Sequence, residues 1–217
     1  MPARRLTDGR TVPEGYPHGP VAALAATAAL DALTDPRAIV LVEGVSDQIA
    51  VDTLAQRLGA GDRGIAVVPV GGAQGLRRML RTIRVDHPAV PLSGLYDIAE
   101  ARVIRRALEE VGLLTPTDEI EVAGFFACVS DLEDELLRAC GPELIEACLA
   151  DNGDIIAFRK LQKQPEWRDR PIDAQLRRWM TSGARRKLRY ARIFVDTIPL
   201  ERMPQPLMAV LRRARQT

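Results

Sequence analysis

The chain has 217 residues, 47% of them hydrophobic, with 30 basic side chains against 29 acidic ones: enough for one large domain with an enzyme-sized core, and too balanced to bind a polyanion through net charge alone. Three cysteines, Cys128, Cys140 and Cys148, without CxxC spacing exclude a disulfide framework and a zinc ribbon and suit a reducing cytoplasm. No apolar run is long enough for a membrane span or a secretory signal, so a cytoplasmic protein with no membrane partner is expected.

Residues 1–19, rich in Arg, Pro and Gly, are expected to form a flexible leader, and Pro20 to open an Ala-rich helix over 21–33. The apolar run at 38–43 then predicts a strand and 46–58 a helix. A strand at 64–70 follows, then Gly71-Gly72 and a helix over 73–85, a strand at 91–96 with a helix over 98–112, and a fourth strand at 119–127. Strands that are apolar throughout, alternating with helices, imply a parallel sheet covered on both faces. Beyond residue 130 the pattern is helical, over 131–139, 142–151, 154–161, 172–181, 183–197 and 204–215. The expected organisation is a leader (1–19), an α/β core (20–130) and a helical C-terminal part (131–217).

In an open parallel sheet, chemistry gathers at the carboxyl ends of the strands. Glu43 ends the first strand and Asp97 follows the third. Asp47 opens the helix after the first, and Asp131 and Glu133 follow the fourth, in "SDLEDELL". Asp47 and Asp131 also suit helix N-caps, but an acid directly after a buried strand, like Glu43, has no capping role there. Carboxylates brought together repel unless a cation lies between them, and an oxygen-only set suits Mg²⁺ or Mn²⁺. Glycines 44, 71 and 72 would let a substrate or ion approach closely. Paired ions in such clusters stabilise the attacking and leaving oxygens of phosphoryl transfer.

The ordered segments "VLVEGVSDQIAVDTLA", "VVPVGGAQGL" and "LYDIAE", with "SDLEDELLRA" and "ARRKLRYA" after them, resemble a Toprim domain, most closely the nuclease domain of the OLD (overcoming lysogenization defect) family. The resemblance spans roughly 36–215. It implies a Rossmannoid parallel sheet with flanking helices and Mg²⁺- or Mn²⁺-dependent endonuclease cleavage of phosphodiesters, in DNA ahead of RNA. It implies Glu43 as metal ligand or general base, and Asp47, Asp97, Asp131 and Glu133 as metal ligands. Lys187 would offset charge developing on the phosphate. The family's DxD pair reads Asp97-Ile98-Ala99 here, so the second Asp is an alanine; Glu100 either reaches inward to replace it or caps the next helix. No GxxxxGK[ST] loop occurs, so a Toprim domain standing alone or working with an ATPase on another chain is expected, with a homodimer as a candidate assembly. A module that binds nucleic acid or an ATPase without cutting is the alternative.

Arg77, Arg78, Arg81 and Arg84 recur at helical spacing near the expected rim. Arg177, Arg178, Arg185, Arg186, Lys187, Arg189 and Arg192 form a second basic group, and Arg212, Arg213 and Arg215 a third. Charged helix faces are usually just solvated, but segregated basic faces beside an acidic rim suit a phosphate backbone. Arg77, Arg78, Arg81, Arg185, Arg186 and Arg189 are the expected nucleic-acid contacts. His18 and His87 lack metal-spaced partners, Trp167 and Trp179 read as packing residues, and "GGAQG" reads as a tight turn.

Overall fold

The computed structural model describes residues 36–59 and 64–216; the expected leader, the helix at 21–33 and His18 lie outside these residues. Four strands, β1 (Ala38–Val42), β2 (Ile65–Pro69), β3 (Leu92–Asp97) and β4 (Phe125–Cys128), form one parallel sheet in the order β2-β1-β3-β4. After the first three strands come helices α1 (Val45–Arg57), α2 (Ala73–Asp86) and α3 (Ala101–Glu110), the last entered through a single 3₁₀ turn, Ile98–Glu100. The remaining helices are α4 (Leu132–Asp151), α5 (Ile155–Gln162), α6 (Ile172–Thr181), α7 (Ala184–Thr197) and α8 (Gln205–Arg215). This is the α/β architecture expected from the sequence, and no described helix is long and apolar enough to cross a membrane.

The unbroken apolar character of β1 follows from burial on both sides. Ala38, Val40 and Val42 face a core completed by Ala50, Val51 and Leu54 of α1 and by apolar residues of α4 to α8. Ile39 and Leu41 face the other core, built with Leu76, Leu80 and Ile83 of α2 and Ile104 and Leu108 of α3. Period-two alternation therefore separates two buried sides rather than core from water. On the first side Trp179 is buried edge-on between Phe158 and Tyr190, with ring centroids 6.2 and 5.4 Å away.

One element departs from expectation. The strand expected over 119–127 begins only at Phe125, because Ile120–Ala123 form a 3₁₀ turn closed by Gly124 at φ 81°. Only Ile120 of that turn is buried, while Glu119, Glu121 and Val122 face solvent, so the stretch cannot lie between two covered faces. Gly124 takes the left-handed conformation that ends the turn, which few other residues adopt cheaply. The break expected between 139 and 142 is a kink inside α4, where Gly141 leaves helical geometry ahead of Pro142.

The sheet is closely packed at Gly94. A Cβ there would lie 2.5 Å from the Phe125 ring and 2.8 Å from the Leu41 carbonyl oxygen. Gly94→Ala should therefore destabilise the fold by about 3 kcal/mol, the upper range for overpacking a rigid core. A urea midpoint matching the wild type would show that β3 and β4 can separate without cost.

Candidate active site at the carboxyl edge of the sheet

Parallel register brings the acids to one edge. Leu41 pairs with Gly94, so Glu43, two residues on, comes level with Tyr96, next to Asp97; Asp97 in turn pairs with Cys128 of β4. The Gly71 N–H donates to the Glu43 carbonyl at 2.8 Å, which ties the end of β1 to the turn after β2. Asp47, 8% exposed, lies in the first turn of α1, and its carboxylate accepts the Gly44 N–H at 2.8 Å. Gly44 itself has an extended backbone, φ −139°, and a Cβ on it would meet nothing nearer than Asp47 Oδ2 at 3.7 Å. The fold does not require a glycine here; the open approach to the acids is what a side chain would fill.

These acids feel one another. Burial, then the Glu43, Asp131, Glu100 and Glu133 carboxylates, pushes the Asp97 carboxyl up to about 7. Burial, then Glu133, raises Asp47 well above the usual carboxylate range, against the opposing Gly44 N–H and Lys187. Glu100 is raised by burial and then by Glu43, whereas Ala99 beside it faces solvent. Glu100 stands at the N-cap position of α3 but makes no side-chain capping hydrogen bond there, and it is half-buried. Beneath the acids the Cys128 thiol is pushed far up by burial and then by Asp47, Glu135, Asp97 and Asp131, which leaves it unreactive.

Two cations are built into the β4 side. Lys187 Nζ stands 2.9 Å from Glu133 Oε1, an ion pair rather than a well-aligned hydrogen bond, and the Glu133 side chain is only 11% exposed. Burial alone would lower the Lys187 pKa, but Glu133, Asp47 and Asp131 outweigh it and the net direction is upward, so the ammonium keeps its charge. Arg177, expected within a basic face, instead forks across the start of α4. Its guanidinium donates to Asp131 Oδ2 and Asp134 Oδ1, both at 2.7 Å, and to Ser130 Oγ at 3.0 Å. Asp131 Oδ1 also caps α4 by accepting the Asp134 N–H at 2.7 Å. The first-turn acids of α4 were visible in the sequence; nothing in it pointed to an arginine 46 residues further on.

Glu43, Asp97 and Glu100 have no ion-pair partner among the described residues. As unpaired, mutually repelling oxygen donors they fit a hard divalent cation. Among the described residues no three of the His, Cys, Asp and Glu side chains stand close enough together to enclose an ion.

The expected nucleic-acid contacts divide by partner. Arg77 and Arg81 both pair with Glu110, the latter at 3.2 Å. Arg186 lies 3.9 Å over the Trp179 ring and donates to the Trp179 carbonyl at 2.6 Å. Arg189 pairs with Asp154, which also accepts the Tyr190 hydroxyl at 2.9 Å. Arg78 and Arg185 are exposed and have no ion-pair partner among the described residues.

Residues 37–97, which include Glu43, Asp47 and Asp97, match the family "Overcoming lysogenization defect protein-like, TOPRIM domain". Similar solved structures include the C-terminal region of the Xanthomonas campestris pv. campestris OLD protein, in two forms. The iodine-phased form has TM-score 0.61 and 21% identity, and the mercury-phased form 0.59 and 23%; each match covers 84% of this chain and 96% of the other. The C-terminal region of the Burkholderia pseudomallei OLD protein matches at TM-score 0.57 and 21% identity, over 84% of this chain and 98% of that one. No curated protein sequence matches the chain. The resemblance read from the motifs thus holds both for residues 37–97 and for the fold shared with OLD C-terminal regions.

Proposed function

We propose that the chain is a Toprim-type nuclease domain that hydrolyses phosphodiester bonds of DNA with Mg²⁺ or Mn²⁺. The observation that carries this reading is the set of carboxylates at the sheet edge, Glu43, Asp97 and Glu100, that share one field with no cation paired to them among the described residues. A divalent ion bound there would supply Lewis acidity to a phosphoryl oxygen.

Glu43 and Asp97 would hold the ion, with water and substrate phosphate completing its shell. Glu43, which the approach beside Gly44 leaves open, would accept the proton of the attacking water at its carboxylate. Asp47, buried and tied to the Gly44 N–H, would fix the turn that presents Glu43. Lys187, kept protonated by Glu133, would face charge growing on the phosphate. The three buried thiols, Cys128, Cys140 and Cys148, fit a reducing cytoplasm.

The direct test is supercoiled plasmid incubated with the purified chain and Mg²⁺ or Mn²⁺. Nicked or linear product that EDTA prevents supports the reading; salt-dependent binding with no product under either ion supports a non-cleaving module instead. That second reading has an observation in its favour, Ala99 in place of the second acid of the pair.

Binding should depend on the cations that remain free. Reversing Arg78 and Arg185 to Glu together is expected to weaken plasmid binding at least tenfold. It should also flatten the log–log salt dependence by about 2, at roughly 0.9 per lost phosphate contact. The Arg186→Glu variant should instead show its main effect in thermal melting, because Arg186 is spent on Trp179. An unchanged salt slope in the double variant would move the phosphate track to another face.

A further inference from the structure

Two divalent ions side by side need enough negative charge to hold both. At this edge the acids fall into two groups by what already neutralises them. On the β4 side, Arg177 is 2.7 Å from both Asp131 and Asp134, and Lys187 is 2.9 Å from Glu133. On the β1 and β3 side, Glu43, Asp97 and Glu100 have no such cation among the described residues, and Ala99 supplies no charge.

Arginine is suited to a permanent post of this kind. Its guanidinium stays charged at every accessible pH, and its planar fork meets two carboxylates at once. The Arg177 side chain also holds Ser130 Oγ at 3.0 Å, so three residues at the α4 start, Ser130, Asp131 and Asp134, converge on one cation. An incoming ion would have to displace the guanidinium from both carboxylates, leaving it beside a divalent charge.

Resting on the nuclease reading, we infer that this centre takes a single divalent ion on the Glu43–Asp97 side, and that Arg177 is a built-in cation on the β4 side in the place of a second ion. Arg177 is thereby a positioning residue. It holds Asp131 and Asp134 as structural anions at the start of α4 and keeps them from acting as metal ligands.

The test counts ions rather than turnover. Mn²⁺ titrated into the purified chain by calorimetry, with bound Mn²⁺ followed by electron paramagnetic resonance, should give one ion per chain and no exchange-coupled pair. Arg177→Met, which keeps the stem and removes the charge, should admit a second ion. Arg177→Lys should stay at one. Thermal melts establish that each variant is folded; should Arg177→Met fail to fold, the wild-type and Arg177→Lys counts decide. Two ions in the wild type would overturn this inference while leaving the nuclease reading intact. A single ion in folded Arg177→Met would overturn it as well, since the guanidinium would then be excluding nothing. No ion bound to the wild type would remove the nuclease reading and this inference with it.

Discussion

Glu43→Gln is expected to lower metal-dependent plasmid nicking by at least about 100-fold, the usual scale for loss of a positioned acid–base group, while plasmid binding stays unchanged. Glutamine preserves size and hydrogen bonding and removes only the charge. Because Glu43 raises the pKa of Asp97 and of Glu100, its neutralisation also relieves repulsion, so the variant should melt no lower than the wild type. That pairing of lost activity with retained or increased stability separates a catalytic role from a structural one. Full activity in Glu43→Gln would take Glu43 out of the reaction.

Asp97→Asn should change the pH dependence of stability. The Asp97 carboxyl is held at about 7 in the fold, far above its unfolded value near 3.9. Between those two pH values the unfolded chain has released a proton that the native state keeps. Stability therefore falls as pH rises from about 4 to about 7 and levels off beyond. Asp47, raised in the same direction, adds to the fall. A shift of this size represents about 4 kcal/mol in a dry site, but Asp97 is only partly buried; solvent screening brings the expected gain for Asp97→Asn at pH 8 to about 1–2 kcal/mol. At pH 4, where native Asp97 is already protonated, the gain should vanish. Mg²⁺ should raise the wild-type melting temperature at pH 8 and do so less for Asp97→Asn. Equal melting curves at pH 8 without metal would show that water already screens the acids from one another.

The α/β class was legible because β1 and β2 are buried on both sides, which writes an unbroken apolar run into each, and because helices separate the strands. The first half of the strand expected at 119–127 was mistaken for a related reason; its end is β4. "EIEVAGFF" carries β-favouring residues, but its first half is one exposed turn, and only tertiary contact decides whether an apolar residue such as Val122 is covered. The acids at the strand ends were readable as a set because the topology of a parallel sheet sends every strand terminus to one edge.

Which acids keep a free charge was not readable. Arg177 meets Asp131 across 46 residues, and Lys187 meets Glu133 from a different helix. Helical spacing grouped both cations with the solvated arginines, since a linear pattern shows which side of a helix a residue occupies and not what packs there. The same limit applies to Arg186 and Arg189, whose partners, Trp179 and Asp154, belong to the interior arrangement of the C-terminal helices.

The central claim is that Glu43 and Asp97 jointly hold a divalent ion, and a Mn²⁺-soaked crystal tests it most directly. Anomalous density within ligand distance of both carboxylates, about 2.0–2.6 Å for hard cations, is the expected result. Density confined to remote surface acids, or none at a Mn²⁺ concentration that supports cleavage, would contradict it.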